Sequence, residues 1–366
     1  MFKNMKLSMK LVLGFATVIA IAVLIGGIGV YNINAVYRIA ETMEQETVPA
    51  ATVANNVERT ALMMRYSVLG YTISTEENRL ESCRQGIVQL QDYLSEATKL
   101  ANEHGLDWLT TNAREATVAT TEYEQEMGKM VNAIANMKKE EDASVANAKR
   151  FMDACVAYIA ATERKIEELA KNPDARAHEV LDLNRQVTVV NNIIDEGNEI
   201  IIGTWYAIAN RSPEHFLQTQ KRFATIDRHL DELRTMTNNP DDLQLIKQSA
   251  EAGQAYLQNM NRFLEAWYAR ENVLAQLVEI GVKVTDAAQN TAEFAMKETS
   301  EGALDAENSL EKATWIVIVG LSIGAVAGIV IAMVITRGIA KPINQIIAGL
   351  TEGASQVASA SEQVSA

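Results

Sequence analysis

The sequence predicts an all-α protein in which two transmembrane helices flank a long external helical bundle that continues into a cytoplasmic coiled coil. Three observations carry that prediction. Leu11–Val30 and Ile316–Ile335 are uncharged apolar runs of 20 residues each, which at ~1.5 Å rise per residue match the ~30 Å hydrocarbon core. Between them, apolar residues recur in alternating steps of three and four, the period of a packed bundle. Only four prolines interrupt that stretch, Pro49, Pro173, Pro213 and Pro240, and the last three sit at turn signals.

Residues 1–10 hold Lys3, Lys6 and Lys10, and basic flanks stay cytoplasmic. Residues 11–30 form the first span, with Tyr31 at its outer boundary. A cleaved signal peptide is the other reading of this run, but it exceeds the usual h-region of ~7–15 residues and no A-x-A-like site follows promptly. Residues 31–314 are expected outside, as helices over 31–73, 75–103, 106–171, 174–211, 213–238 and 240–314. Ser74-Thr75-Glu76-Glu77, Asn172-Pro173-Asp174, Ser212-Pro213-Glu214 and Asn239-Pro240-Asp241-Asp242 each set a capping residue before acidic first-turn positions. Gly105 follows His104 as a C′ glycine. Trp315 marks the outer edge of the second span, 315–335, and Arg337 and Lys341 follow it inside. In 336–366, Ile343, Leu350, Val357 and Val364 recur every seven residues, the start of a coiled coil that needs a partner helix.

The seams name the expected core. They are Ala54, Val57, Ala61, Met64, Val68 and Tyr71 on the first external helix, and Leu80, Cys83, Ile87, Leu90, Leu94 and Ala97 on the second. The third contributes Leu109, Ala113, Ala116, Thr120, Tyr123, Met127, Met130 and Ile134. Because the third and sixth helices are far longer than the others, the bundle should have two storeys. Helices one and two, the start of three and the end of six make the lower one. A weak repeat at an offset of roughly 135 residues agrees. Asn55-Asn56-Val57 to Ser74 resembles Asn191-Asn192-Ile193 to Asn210, and the stretch around Tyr123 and Met127 resembles that around Tyr256 and Met260.

Charge narrows the function. The chain is −14 overall; its first thirty residues carry +3 and residues 315–366 are neutral, so the external segment carries −17. Such a surface repels nucleic acid and anionic lipid. His104, His178, His215 and His229 lack paired metal spacing, and no C-x-x-C, H-E-x-x-H, P-loop or G-x-G-x-x-G occurs. No catalytic residue, cofactor or metal is therefore expected. Cys83 and Cys155, the only cysteines, fall at different heights of the bundle and should be free thiols.

The basic start, the two spans, Lys341-Pro342 after the second, and the Ala/Ser/Gln/Glu-rich tail from Glu352 to Ala366 together resemble a bacterial methyl-accepting chemotaxis receptor. The external part resembles a helical bimodular sensor domain. The resemblance implies an inner-membrane, multi-pass homodimer with a periplasmic sensor for small carboxylates. Its output would reach a chemotaxis kinase and coupling protein. About fifty residues of HAMP linker would be needed after Pro342, so that linker is expected to be truncated or absent and the chain to be a fragment. A sensor histidine kinase or cyclase with the same external domain is one rival, and a non-signalling membrane scaffold another.

An anionic ligand in so acidic a domain needs inward-facing cations. Arg65 has Ala61, Leu62, Val68 and Leu69 at i±3 and i±4, and Arg84 has Leu80, Ile87 and Val88. Both heads are expected inside the packed arc, at the level of Thr120 and Tyr123, making a carboxylate clamp. Arg59, between Leu62-Met63 and Asn55-Asn56, is a further candidate, and Arg262 the best one in the upper storey. The ordinary alternative is that the arginine stems pack on apolar surface with their heads in water. The repeat position of Arg65 is Ile201, so an upper pocket should have different chemistry.

Overall fold

The computed structural model describes residues 7–172 and 176–364, and no strand occurs among them. The turn expected at Pro173-Asp174, and Lys3 and Lys6, lie outside the described residues. The helices are α1 Leu7–Thr42, α2 Val48–Ser74, α3 Glu77–His104, α4 Asp107–Lys171, α5 Ala177–Ala209, α6 Pro213–Gln220, α7 Phe223–Met236 and α8 Pro240–Val364. All twenty seam residues named from the periodicity on the first three external helices are buried.

Between α1 and α2 the chain does not break but widens into a π-helical turn, Met43–Thr47, in which the Val48 amide reaches back five residues to the Met43 carbonyl. Pro49 supplies the cause. A proline in a helix lacks one amide donor and collides with the carbonyl four residues earlier, here Gln45. A wider turn just ahead of it relieves that collision.

The other boundaries follow local chemistry. Gly105 closes α3 at φ 66°, and the Leu106 amide bonds back to the Ala101 carbonyl, the Schellman arrangement that glycine permits without strain. Ser212 Oγ accepts from the His215 amide, with Pro213 at the first turn of α6. Asn239 Oδ1 accepts from the amides of Asp241 and Asp242 to start α8. One expectation is corrected: the single helix over 213–238 is two, α6 and α7. At Lys221 and Arg222 the amide bonds shorten to i→i−3, reaching the carbonyls of Gln218 and Thr219. There Arg222 forks onto Glu196 at 2.8 Å and Glu199 at 3.2 Å on α5.

The chain divides into two units. The first takes in the described residues up to Asn55, Glu96–Asn112, and those from Ala288 onward. In it α1 and α8 run antiparallel in a constant register through small residues. A methyl placed on Gly14 would fall 2.6 Å from Ile331 Cγ2, one on Gly320 2.7 Å from Ile25, and one on Gly324 3.5 Å from Ile21. Close approach at glycine is how apolar helices gain contact with each other. These two helices are long and apolar enough to cross a membrane. Further along the same unit, Thr299 donates to Thr47 at 3.2 Å, His104 faces Glu46 at 3.5 Å, and Trp108 packs on Phe294.

The second unit comprises Asn56–Ser95 and Ala113–Ala287. An apolar cluster joins α4 to α5, α6, α7 and the start of α8, around Phe151, Ile193, Ile200, Phe216, Leu233 and Trp267. Phe216, Phe263 and Trp267 pack as mutual ring neighbours within 5.5–6.2 Å. Two polar ties hold the α7–α8 end: Tyr158 bonds Gln186 and Thr237, and Lys165 pairs with buried Asp242.

Cys83 and Cys155 are free and buried, as expected. Burial pushes the Cys83 thiol up to about 12, against the opposing pull of Arg84. It pushes Cys155 up to about 11, although a bond to Ser249 acts the other way. Only the thiolate attacks, so at pH 8 both should resist a disulfide reagent in the folded chain. Both should titrate after denaturation. A thiol that reacts at once in native protein would contradict this packing.

Candidate functional site

Arg65 is the predicted residue whose surroundings most resemble a site. Its half-buried stem lies across α8 at Gly281, where a methyl group would come within 2.7 Å of Arg65 Cδ. Among the described residues its guanidinium has no carboxylate within ion-pair distance and no hydrogen-bond acceptor. Tyr123, wholly buried on α4, is its electrostatic neighbour. Burial pushes that phenol well above its ordinary value, the Cys83 side chain adds to the rise, and Arg65 opposes both. Cys83 Sγ in turn contacts Met127 Sδ at 3.2 Å. The resulting cluster has α2, α3, α4 and α8 each contributing one or two groups. A cation without a partner in such surroundings is costly unless something anionic can reach it.

The other candidates are placed differently. Thr120 is buried beside this cluster on α4, but its hydroxyl donates to the Ala116 carbonyl at 2.7 Å, the usual helical back-bond of a threonine. Arg84 does not face inward. Its head is half exposed and pairs with Glu77 at 3.0 Å and Glu81 at 3.7 Å. Leu80 and Ile87 are buried but Val88 is 57% exposed, so Arg84 stands one step round the helix from the seam. Arg59 is also exposed and bonds its neighbour Asn56. The apolar residues that suggested an inward head, Leu62 and Met63, are themselves exposed.

Arg262 is likewise committed elsewhere. Its Nε donates to Glu140 Oε2 at 3.0 Å, an oxygen that also accepts from Asn259 at 2.7 Å. Asn147 donates onward to Asn259. Burial alone would raise the Glu140 carboxyl; the bonds from Asn259 and Arg262 outweigh it and hold the group below its ordinary 4.5. The unfolded chain then takes up this proton more readily than the folded one. The stabilisation is complete above 4.5 and is lost as pH falls through the lower folded value. Melting temperature should therefore drop less between pH 6 and pH 3 in Glu140→Gln than in the parent. Parallel curves would show that this network does not titrate with folding.

The sequence did not reveal a cavity of about 310 Å³ bounded by α4, α5, α6 and α8. Ser144, Met152, Ile201, Thr204, Trp205 and Phe216 are among its walls, with Tyr256 and Met260 from α8. Thr204 Oγ1 is sealed from solvent and makes no hydrogen bond. The Tyr256 phenol is raised by burial and drawn partly back by the Thr204 side chain, so the two hydroxyls are close although Thr204 Oγ1 lacks a hydrogen bond. One signal is present in the sequence: in the internal repeat Ile201 corresponds to Arg65, and Tyr256 and Met260 to Tyr123 and Met127. All three line this cavity. No group of histidine, cysteine and carboxylate side chains able to hold a metal occurs among the described residues.

A family profile described as the four helix bundle sensory module for signal transduction matches residues 4–187, half of the chain. No curated protein matches.

Proposed function

We propose that this chain, which belongs to the four helix bundle sensory modules for signal transduction, is a two-span membrane chemoreceptor that senses a small external anion. The observation that carries the reading is Arg65: a half-buried side chain laid over Gly281 and beside Tyr123, with no ion-paired carboxylate among the described residues. A ligand carboxylate there gains charge-assisted bonds from a partly buried cation. Transmission rests on α8, one helix from Pro240 to Val364 that holds both Gly281 and the second apolar run. A ligand that favours one packing of α2 against α8 shifts α8 by the ~1–2 Å typical of such switches.

In this reading the bundle is two-storeyed, with α2, α3, the early part of α4 and the later external part of α8 forming the lower storey. Residues 31–314 are periplasmic, and the cytoplasmic end addresses a chemotaxis kinase and its coupling protein. Two features support a homodimer. Leu62, Tyr66, Leu69 and Ile73 make an exposed apolar stripe on α2, and Ile343, Leu350 and Val357 make another on the cytoplasmic part of α8.

The test is calorimetry of the full chain in lipid nanodiscs against a panel of small organic acids. Arg65→Ala should weaken the best binder about 10- to 100-fold, the worth of ~1.5–3 kcal/mol for bonds to a charged group. Helicity should be unchanged. Gly281→Ala should bind more weakly too, because the arginine stem must shift, while its melting point holds or rises with the better helix former. Parent affinity in both variants would remove Arg65 from the site.

A further inference from the structure

We propose that the cavity bounded by α4, α5, α6 and α8 is a second ligand site, shaped for a small neutral aromatic molecule bearing one hydroxyl group. Its volume of about 310 Å³ is roughly twice that of the ~150 Å³ cavity in which benzene binds. It stands at the lower end of small-molecule pockets, which run ~300–1,000 Å³. The walls are mainly aliphatic, thioether and aromatic, and the two charged residues among them, Glu141 and Lys149, are opposite in sign. An anion would meet no surplus positive charge there.

The polar content is narrow and specific. Thr204 is nine-tenths buried, and its hydroxyl oxygen is solvent-sealed with no bond. Buried hydroxyls almost always find a partner, and most threonines in this chain's helices bond back to their own backbone, as Thr120 and Thr219 do. Beside Thr204 stands the side chain of Tyr256, also buried. A ligand hydroxyl, donor and acceptor at once, can satisfy both.

The internal repeat says why the ligand should be neutral. Tyr256 and Met260 correspond to Tyr123 and Met127, which flank the Arg65 cluster, while Ile201 takes the place of Arg65 itself. The same framework therefore recurs with its cation exchanged for an aliphatic group. At Gly203 a methyl would fall 2.6 Å from Thr219 Oγ1, so α5 lies close on α6.

The probe pair is benzyl alcohol and benzoate, titrated into the full chain in nanodiscs and followed by the fluorescence of Trp205. A Trp205→Phe chain assigns the signal. Benzyl alcohol is expected to give a saturable change, and benzoate to bind at least tenfold more weakly. Thr204→Val keeps the shape and deletes an unbonded hydroxyl, so it should melt no lower than the parent yet bind the alcohol about 3- to 10-fold more weakly. Ala148→Leu, which fills the cavity, should abolish binding. Arg65→Ala should bind the alcohol as the parent does, which separates this site from the anion site. Absence of saturation, equal affinity for benzoate, or unchanged binding in Thr204→Val would each overturn the assignment.

Discussion

An Ala303→Pro chain is expected to keep the parent's ligand affinity and to pass no signal to the far end of α8. Ala303 is an exposed position of α8, so the substitution removes no buried contact. What it removes is the amide bond to the Thr299 carbonyl, and it drives the proline ring against that carbonyl, at a cost of about 3 kcal/mol or more. α8 already passes through Pro342, but position 303 stands under a tighter condition. Next to it, a methyl on Gly302 would lie 3.3 Å from Ile39 Cγ2, so a kink there disturbs the side-by-side packing of α8 and α1. Rigid displacement of one helix past another needs that packing intact. The measurement is ligand calorimetry together with ligand-dependent crosslinking of cysteines placed in the last thirty residues of α8, with Ala303→Ser as control. A crosslinking response as large as the parent's would mean that an unbroken α8 is not the conductor.

Phe216→Ala should be the most destabilising single change of a side chain outside the Arg65 cluster. Phe216 is 1% exposed, stacks on Phe263 at 5.5 Å and meets the edge of Trp267 at 6.2 Å. Truncating a buried phenylalanine costs about 3–5 kcal/mol, counting both lost burial and the void left behind. The ring partners each forfeit a further aromatic contact. For a folding unit of this size the melting temperature should fall by roughly 10 °C. Because α6 is only eight residues long, it has little helical stability of its own, and the loss should appear first as hydrogen exchange in Pro213–Gln220. A shift under about 2 °C would show that α6 is not held through this ring.

The contrast between these residues shows how far the sequence could be read. The seams were legible because a 3.5-residue period leaves only one face to bury, and Met64, Leu90 and Met130 are all fully buried as that period requires. The turns at Gly105, Ser212 and Asn239 were legible because capping chemistry is local. Arg84 was misread for a reason of geometry. Apolar neighbours one turn away mark a face only when they are themselves buried, and a long stem swings its head toward whatever carboxylate is near, here Glu77 and Glu81. The partner of Arg262, Glu140, lies 122 positions earlier, a pairing no local pattern announces. The tightening at Lys221 and Arg222 and the cavity beside Thr204 likewise depend on packing between distant segments.

The widened turn ahead of Pro49 has a consequence for anyone building hybrid receptors. One extra residue in a helix swings everything after it by about 100°, so α1 and the start of α2 are a single rod with a deliberate phase offset. A graft that takes the spans from one protein and the sensor from this one must carry Met43–Pro49 as a block. Splicing inside it would turn Ala50 and Val53, both buried, out toward solvent.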